Sequence, residues 1–215
     1  MQSVASEVEL RDIAPGLWIW RTEHHHWKQG DDWQPIVTSV YVESGGGRWV
    51  LDAIVPKTPA TALWKRLDGR PPTMAGVVIA DHVRDIDEFV RRYHVRPFGP
   101  RLFWPDDIPK TALEPIYPDK VLPGGLVALY DGRGRLETPL WLPEQRTIVF
   151  GDGMTERGGK LLVWGSPSHE KRAMPAFREM LKLPFERVII SHADTEPVHD
   201  RSAFERALKL PPWEG

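Results

Sequence analysis

The sequence contains no cysteine among its 215 residues. Disulfide bonds and thiolate metal sites are therefore excluded, which leaves histidine, aspartate and glutamate as the strong metal ligands. No apolar run approaches the roughly 20 residues that a membrane-spanning helix needs. Residues 1–16 are polar and acidic, and they lack the basic and apolar regions of a signal peptide. These absences lead us to expect a cytoplasmic protein without a membrane partner.

The chain also lacks a strong excess of one charge. It has 28 lysine and arginine residues against 30 aspartate and glutamate residues, a net charge of −2. Such a balance creates no single-sign field, so nucleic acid is not an expected partner. A small molecule is the expected ligand, and the sequence does not indicate an oligomeric state. Tryptophan, by contrast, is abundant at 10 residues, and its large apolar ring can line a pocket.

No internal repeat, low-complexity tract or flexible linker divides the chain, which predicts one domain over residues 1–215. Alternating and β-branched segments predict strands at 16–21, 37–43, 48–52, 75–80, 95–97, 126–130, 137–142, 147–150 and 187–190. Capping and periodicity predict helices at 58–67, 85–93, 174–181 and 200–208. Hairpins followed by strand–helix units predict an α/β fold of two stacked sheets with helices outside.

Three predicted strands end on ionisable residues: Asp81 with His82, Asp152, and His192. Functional groups of α/β folds gather beyond the carboxyl ends of core strands. The competing interpretation is that each aspartate merely caps the following helix or forms a turn. For one residue we would favour the cap, but three such strand ends together favour a site.

These segments resemble the metallo-β-lactamase superfamily. The resemblance rests on Ala80-Asp81-His82-Val83-Arg84-Asp85-Ile86, on the run from Trp141 to Asp152 that contains LPEQRTIVFGD, and on Val188-Ile189-Ile190-Ser191-His192-Ala193. It covers roughly residues 14–208. It implies a four-layer αββα sandwich made of two mixed sheets with helices outside.

The resemblance also implies which residues would hold metal. The superfamily carries a His-x-His-x-Asp-His pattern, and aligning it on the aspartate makes Asp85, Asp152 and His192 the expected metal ligands. Asp81 and Val83 stand where the first two histidines would be, and Ile86 replaces the last. Another family histidine has no counterpart between residues 132 and 138. We therefore expect the usual dinuclear zinc centre to be lost, leaving either no metal or a single divalent ion such as zinc, manganese, magnesium or iron.

The expected catalytic residues are Asp85, Asp152 and His192, assisted by the neighbouring His82. Two functions stay open. One is a hydrolase or lyase acting on a small molecule, with a metal-activated water or an Asp–His acid–base pair. The other is a non-catalytic, metal-free protein that binds a ligand or partner in the same tryptophan-rich cleft. A third interpretation is a purely structural or oligomerising domain.

A histidine-rich segment between the first two predicted strands offers further candidates. His24, His26, Trp27 and Trp33 are predicted to bind substrate. Adjacent side chains of an extended segment point to opposite sides, so His24 and His26, but not His25, can face one ligand. The family's corresponding loop borders the active site. An exposed polar loop without function is an equally supported interpretation.

Overall fold

The structure is a computed structural model that describes residues 8–133 and 137–214. Its strands are β1 (Glu9–Ala14), β2 (Leu17–Glu23), β3 (Ile36–Ser44), β4 (Gly47–Leu51), β5 (Met74–Gly76), β6 (Arg96–Gly99), β7 (Glu114–Pro115), β8 (Val127–Ala128), β9 (Leu140–Leu142), β10 (Thr147–Val149), β11 (Met154–Arg157), β12 (Lys160–Val163), β13 (Arg187–Ile189), β14 (His192–Ala193) and β15 (Val198–Asp200). Its α-helices are α1 (Thr61–Gly69), α2 (Ile86–Tyr93), α3 (Met174–Met180) and α4 (Arg201–Ala207). Short 3₁₀ helices span Ala80–His82, Pro105–Asp107 and Pro123–Gly125, and one π-helical turn spans His169–Ala173.

The strands form two mixed sheets. The first has ten strands in the order β12-β11-β14-β3-β4-β5-β6-β7, and β2 pairs with both β3 and β1 beside this path. The second has five strands in the order β15-β13-β10-β9-β8. β4, β5, β6 and β7 run parallel to one another, while the hairpin of β3 and β4 is antiparallel.

Side-chain alternation explains why the sheets stack. In β2, Leu17 and Ile19 join the core between the sheets, whereas Trp18 and Trp20 point to the opposite face. A strand's successive side chains alternate between faces, so a strand buried on both faces is apolar at every position. The same pattern recurs in β10, where Val149 faces the other sheet and Ile148 faces outward.

Helices cover both outer faces. α1 and α2 pack on Trp18, Trp20 and Tyr41 of the first sheet, and α3 and α4 pack on the second sheet around Ile148 and Val188. The layer order is therefore helix, sheet, sheet, helix, which confirms the predicted αββα sandwich.

The chain passes between the two sheets at two points that matter for the site. It leaves β10 of the second sheet and enters β11 of the first through the turn Gly151–Gly153. It also leaves β13 of the second sheet and enters β14 of the first at Ser191 and His192. Both passages run side by side because β10 pairs in parallel with β13, and β11 with β14.

Most predicted elements are present, with shifted ends and some omissions. β1, β7, β11, β12, β14 and β15 were not predicted, and the predicted strand 75–80 ends at Gly76. Beyond Gly76 the backbone forms hydrogen bonds with groups outside the strand ladder. The Val78 amide, for example, donates to the carboxylate of Asp52 at 2.7 Å. Within residues 8–133 and 137–214, no helix is long and apolar enough to cross a membrane.

Candidate metal centre

Three side chains meet where the two passages between the sheets approach the loop after β5. Nε2 of His82 lies 3.1 Å from Oδ1 of Asp152 and 3.3 Å from Nε2 of His192, and the latter two atoms are 3.3 Å apart. All three residues are buried. Among the described residues they form the group whose potential ligand atoms lie within 4.8 Å of one another. We call His82, Asp152 and His192 the triad.

The triad fits a divalent ion. Zinc bound at about 2.0–2.1 Å in a tetrahedral site separates its ligand atoms by roughly 3.3 Å. The three observed separations match that value, and two imidazoles with one carboxylate are a donor set that zinc, manganese and iron accept. The triad therefore suits a single metal ion with three protein ligands.

Asp52 orients the imidazole of His82 through the ring nitrogen Nδ1, which is not the one that belongs to the triad. Its Oδ2 lies 2.7 Å from Nδ1 of His82, while its Oδ1 holds the Val78 amide. A hydrogen bond from Nδ1 to a carboxylate directs the lone pair of Nε2 into the site, as is usual for metal-binding histidines. Asp52 lies just beyond β4 with a φ of 45°, a left-handed conformation that aspartate tolerates. The buried Nδ1 of His192 has no comparable partner among the described residues.

The electrostatics of the triad favour a cation. Burial is the largest influence on the pKa of His82 and lowers it, as does Arg84, but the carboxylates of Asp152 and Asp52 outweigh both and raise the pKa to about 9. Burial would raise the pKa of Asp152, yet both imidazoles together hold it well below its usual range. Burial lowers the pKa of His192, which keeps that imidazole neutral and able to donate a lone pair. The carboxylates that attract a proton to His82 would also attract a metal ion.

Gly151 allows the turn that carries Asp152 to approach the loop that carries His82. A Cβ at Gly151 would lie 2.8 Å from Cγ2 of Ile79 and 3.5 Å from Nδ1 of His82. Any larger residue would push the turn that carries Asp152 away from the loop that carries His82. Glycine at this position permits the close approach.

The triad lies in a cavity of about 300 Å³. The residues that line it are His24, Asp32, Trp33, Asp81, His82, Arg84, Asp152, Trp164 and His192. Trp33 and Trp164 each set a ring edge-to-face with the His192 ring, at centroid distances of 5.4 and 5.9 Å. Arg84 joins three strand ends by donating to the carbonyls of Thr38 and Asp52 and to the Ser191 hydroxyl.

The histidine-rich loop covers one side of this cavity. His24 and Trp33 line it and contact each other edge-to-face at 4.8 Å. His26 and Trp27 are not among the lining residues. They support the loop: the His26 amide donates to Nδ1 of His24, and Nε1 of Trp27 donates to the Trp33 carbonyl.

The structure separates the predicted site residues into two groups. It brings Asp152, His192 and His82 together, so the triad has His82 in the place predicted for Asp85. Oδ2 of Asp85 instead accepts hydrogen bonds from the Val55 amide and from Nε2 of His25, at 2.7 and 2.9 Å.

The other positions of the family pattern have different roles here. Val83 and Ile86 are buried in the core where α1 and α2 pack against the first sheet. Asp81 lines the cavity and accepts a hydrogen bond from Nε1 of Trp104.

Sequence reasoning missed Asp52, Asp32, Arg84 and Trp164. Asp52 could have been found, because it lies at the end of a predicted strand, as Asp81, Asp152 and His192 do, and directly follows β4 in the structure. Asp32, Arg84 and Trp164 carried no such signal.

Comparisons with known proteins agree with the architecture. No protein-family model and no curated protein matches the chain. Solved structures do match over nearly its whole length. One is a metallo-β-lactamase from Pontibacter korlensis, with a TM-score of 0.65 and 16% identity over 95% of this chain and 100% of that one. Another is the metallo-β-lactamase FIM-1 from Pseudomonas aeruginosa in a mono-zinc form, with a TM-score of 0.69 and 19% identity over 98% of this chain and 97% of that one.

A third match is a metallo-β-lactamase from Hirschia baltica, with a TM-score of 0.68 and 12% identity over 95% of this chain and 97% of that one. At identities this low, the structural matches demonstrate a shared architecture and nothing about substrate. Together with the layer order and the two passages between the sheets, they establish that this chain has the metallo-β-lactamase fold.

Proposed function

We propose that this protein is a hydrolase with one divalent metal ion, held by His82, Asp152 and His192, that acts on a small molecule. The observation that carries the proposal is the set of three buried donor atoms 3.1–3.3 Å apart at the base of a cavity. The matching structures support it, since one of them is a metallo-β-lactamase in a mono-zinc form.

A divalent ion in such a site supplies Lewis-acid chemistry, by polarising a substrate oxygen and lowering the pKa of a water. The protein's own residues supply the rest. Asp52 fixes the orientation of His82. Trp33 and Trp164 contact the His192 ring and supply apolar wall to the cavity.

The size and lining of the cavity bound the substrate. About 300 Å³ is at the lower end of the range for small-molecule pockets. His24 is neutral because burial, its largest influence, lowers its pKa to about 2. Its Nδ1 accepts the His26 amide, which leaves a proton on Nε2 that can donate to a substrate oxygen.

Elemental analysis tests the metal site directly. Protein produced in medium with zinc, manganese and iron should contain about one metal ion per chain, whereas Asp152→Ala and His192→Ala should contain only background metal. Circular dichroism verifies that both variants are folded. Metal-loaded protein should then hydrolyse at least one of a panel of generic ester, lactone and phosphodiester substrates.

Asp85→Ala is the informative control. Asp85 occupies the family's ligand position, but its carboxylate faces Val55 and His25. The variant should keep its metal. Metal-free wild-type protein, or an Asp85→Ala variant as depleted as Asp152→Ala, contradicts the proposal. Ligand binding without metal or turnover would favour the non-catalytic alternative.

A further inference from the structure

The turn that carries Asp152 is held on two sides. On one side Gly151 packs against Ile79 and His82, as described above. On the other side lies Glu137, whose carboxylate belongs to neither the triad nor the cavity around it. Oε1 of Glu137 accepts a hydrogen bond from the Gly151 amide at 2.9 Å, and Oε2 accepts one from the Asp152 amide at 3.2 Å.

Glu137 is itself fixed. Its side chain and that of Arg133 are fully buried, and Nη1 of Arg133 donates to Oε2 of Glu137 at 3.0 Å. A buried carboxylate is costly unless charge and hydrogen bonds compensate it. This one receives an arginine and two consecutive backbone amides. Burial and the neighbouring Asp131 nevertheless raise the pKa of Glu137 to about 8, so these contacts compensate the cost only in part. The position of Glu137 and the path of the turn are joined by the two amide hydrogen bonds.

We propose that Glu137 is a positioning residue that holds Asp152 in ligand geometry through the backbone of the turn. The inference rests on the proposed metal site. The amides of Gly151 and Asp152 and the guanidinium of Arg133 all donate to one side chain, and the two oxygens of its carboxyl group accept these hydrogen bonds. Partners behind metal ligands of this kind typically contribute 10–100-fold to metal affinity.

Glu137→Gln is the variant of choice because it preserves the shape of the side chain. Its amide retains one acceptor oxygen and turns an NH₂ group towards a donor. We expect zinc affinity, measured by competition with a chelator, to fall by about 10–100-fold. The absorption spectrum of bound Co²⁺ should change as well, because the carboxylate of Asp152 is displaced.

Asp87→Asn is the matched control. Asp87 also bridges two backbone amides, accepting from Lys110 at 2.9 Å and from Thr111 at 2.8 Å, but it has no contact with the triad. This variant should bind zinc as tightly as the wild type does. Equal losses in the two variants, or no loss in Glu137→Gln, would overturn the positioning role.

A metal-free measurement separates this inference from the proposed function. Amide hydrogen exchange at residues 151–153, followed without metal, should be slow in the wild type and in Asp87→Asn but faster in Glu137→Gln. If the wild type binds no metal, the proposed function fails while the exchange rates still decide on Glu137. Unchanged exchange in Glu137→Gln would show that the turn does not depend on this carboxylate.

Discussion

At the scale of single residues, the geometry of the site depends on which groups each oxygen of a few carboxylates contacts. Oδ1 of Asp52 accepts a hydrogen bond from the Val78 amide, and Oδ2 is hydrogen-bonded to Nδ1 of His82. Oδ1 of Asp152 lies 3.1 and 3.3 Å from the Nε2 atoms of His82 and His192. The backbone amide of Asp152 donates a hydrogen bond to the carboxyl group of Glu137. His82 and Asp152 are thus placed by residues that are distant from them in sequence.

His24 gives a prediction about pH. Burial lowers its pKa to about 2, whereas the unfolded chain takes up a proton near 6.5. The unfolded state therefore binds more protons between these values, and this residue's contribution to stability, complete above pH 6.5, is lost as the pH falls. We expect the free energy of unfolding in urea to decrease less steeply from about pH 7 to pH 5 in His24→Gln than in the wild type.

The control for this prediction is His26→Gln, which makes the same change at an exposed residue of the same loop. It should keep the wild-type dependence on pH. Parallel curves for His24→Gln and wild type would mean that His24 is protonated as readily in the folded protein as in the unfolded chain.

The sequence indicated part of the site at this scale. The strand-end pattern identified Asp152, His192 and His82 as functional candidates. Aligning the family pattern on Asp85 selected a residue that the structure does not bring into the triad, because spacing along the chain does not reveal that Ala80–His82 forms a 3₁₀ turn. That turn and the Asp52 carboxylate direct His82 into the cavity.

At the scale of elements, the histidine-rich loop is anchored at both ends. Near its start, His25 is hydrogen-bonded to Asp85, which directly precedes α2. Near its end, Gln34 donates to Asp194, which directly follows β14. The loop is therefore tied to both sides of the cavity that His24 and Trp33 line.

Asp85→Ala should loosen this loop. Removal of the carboxylate frees His25 and the Val55 amide, so we expect faster amide hydrogen exchange across residues 24–34, measured by mass spectrometry. Asp68→Ala is the control, since Asp68 pairs with Arg92 and Tyr93 on the surface away from the loop. Protection of residues 24–34 at the wild-type level in Asp85→Ala would show that the His25 contact does not hold the loop.

Elements with strong apolar patterns were predictable, and elements defined by partners were not. β2, β3, β4, α2 and β10 have periodicities that predict them within a few residues. β1 is an edge strand: it pairs with β2 and with no other strand of the described residues, and its largely polar sequence has no apolar alternation that would predict it. β14 has two residues and exists because it meets β3 and β11.

At the scale of the whole molecule, the triad links the two sheets. His82 follows a strand of the first sheet, whereas Asp152 and His192 lie where the chain crosses from the second sheet to the first. A metal ion there would bind the folded chain and not the unfolded one. Its binding energy would therefore add to the free energy of unfolding.

Thermal unfolding tests that linkage. At a free zinc concentration of 100 times Kd, stability should rise by about 2.7 kcal/mol. For a chain of this length that corresponds to an increase in Tm of roughly 5–10 °C, reversed by a chelator. Asp152→Ala should show no zinc-dependent change in Tm. A wild-type Tm that is indifferent to both zinc and chelator would contradict a site that joins the sheets.

The position of the triad along the chain has a consequence for biosynthesis. The triad spans 110 positions from His82 to His192, and His192 is the last of its residues to leave the ribosome. Until that residue emerges, a growing chain has one imidazole and one carboxylate but no complete set of ligands. A product of premature termination before His192 could therefore neither assemble the triad nor be rescued by supplying metal, and any metal loading would be confined to chains whose synthesis has passed that point.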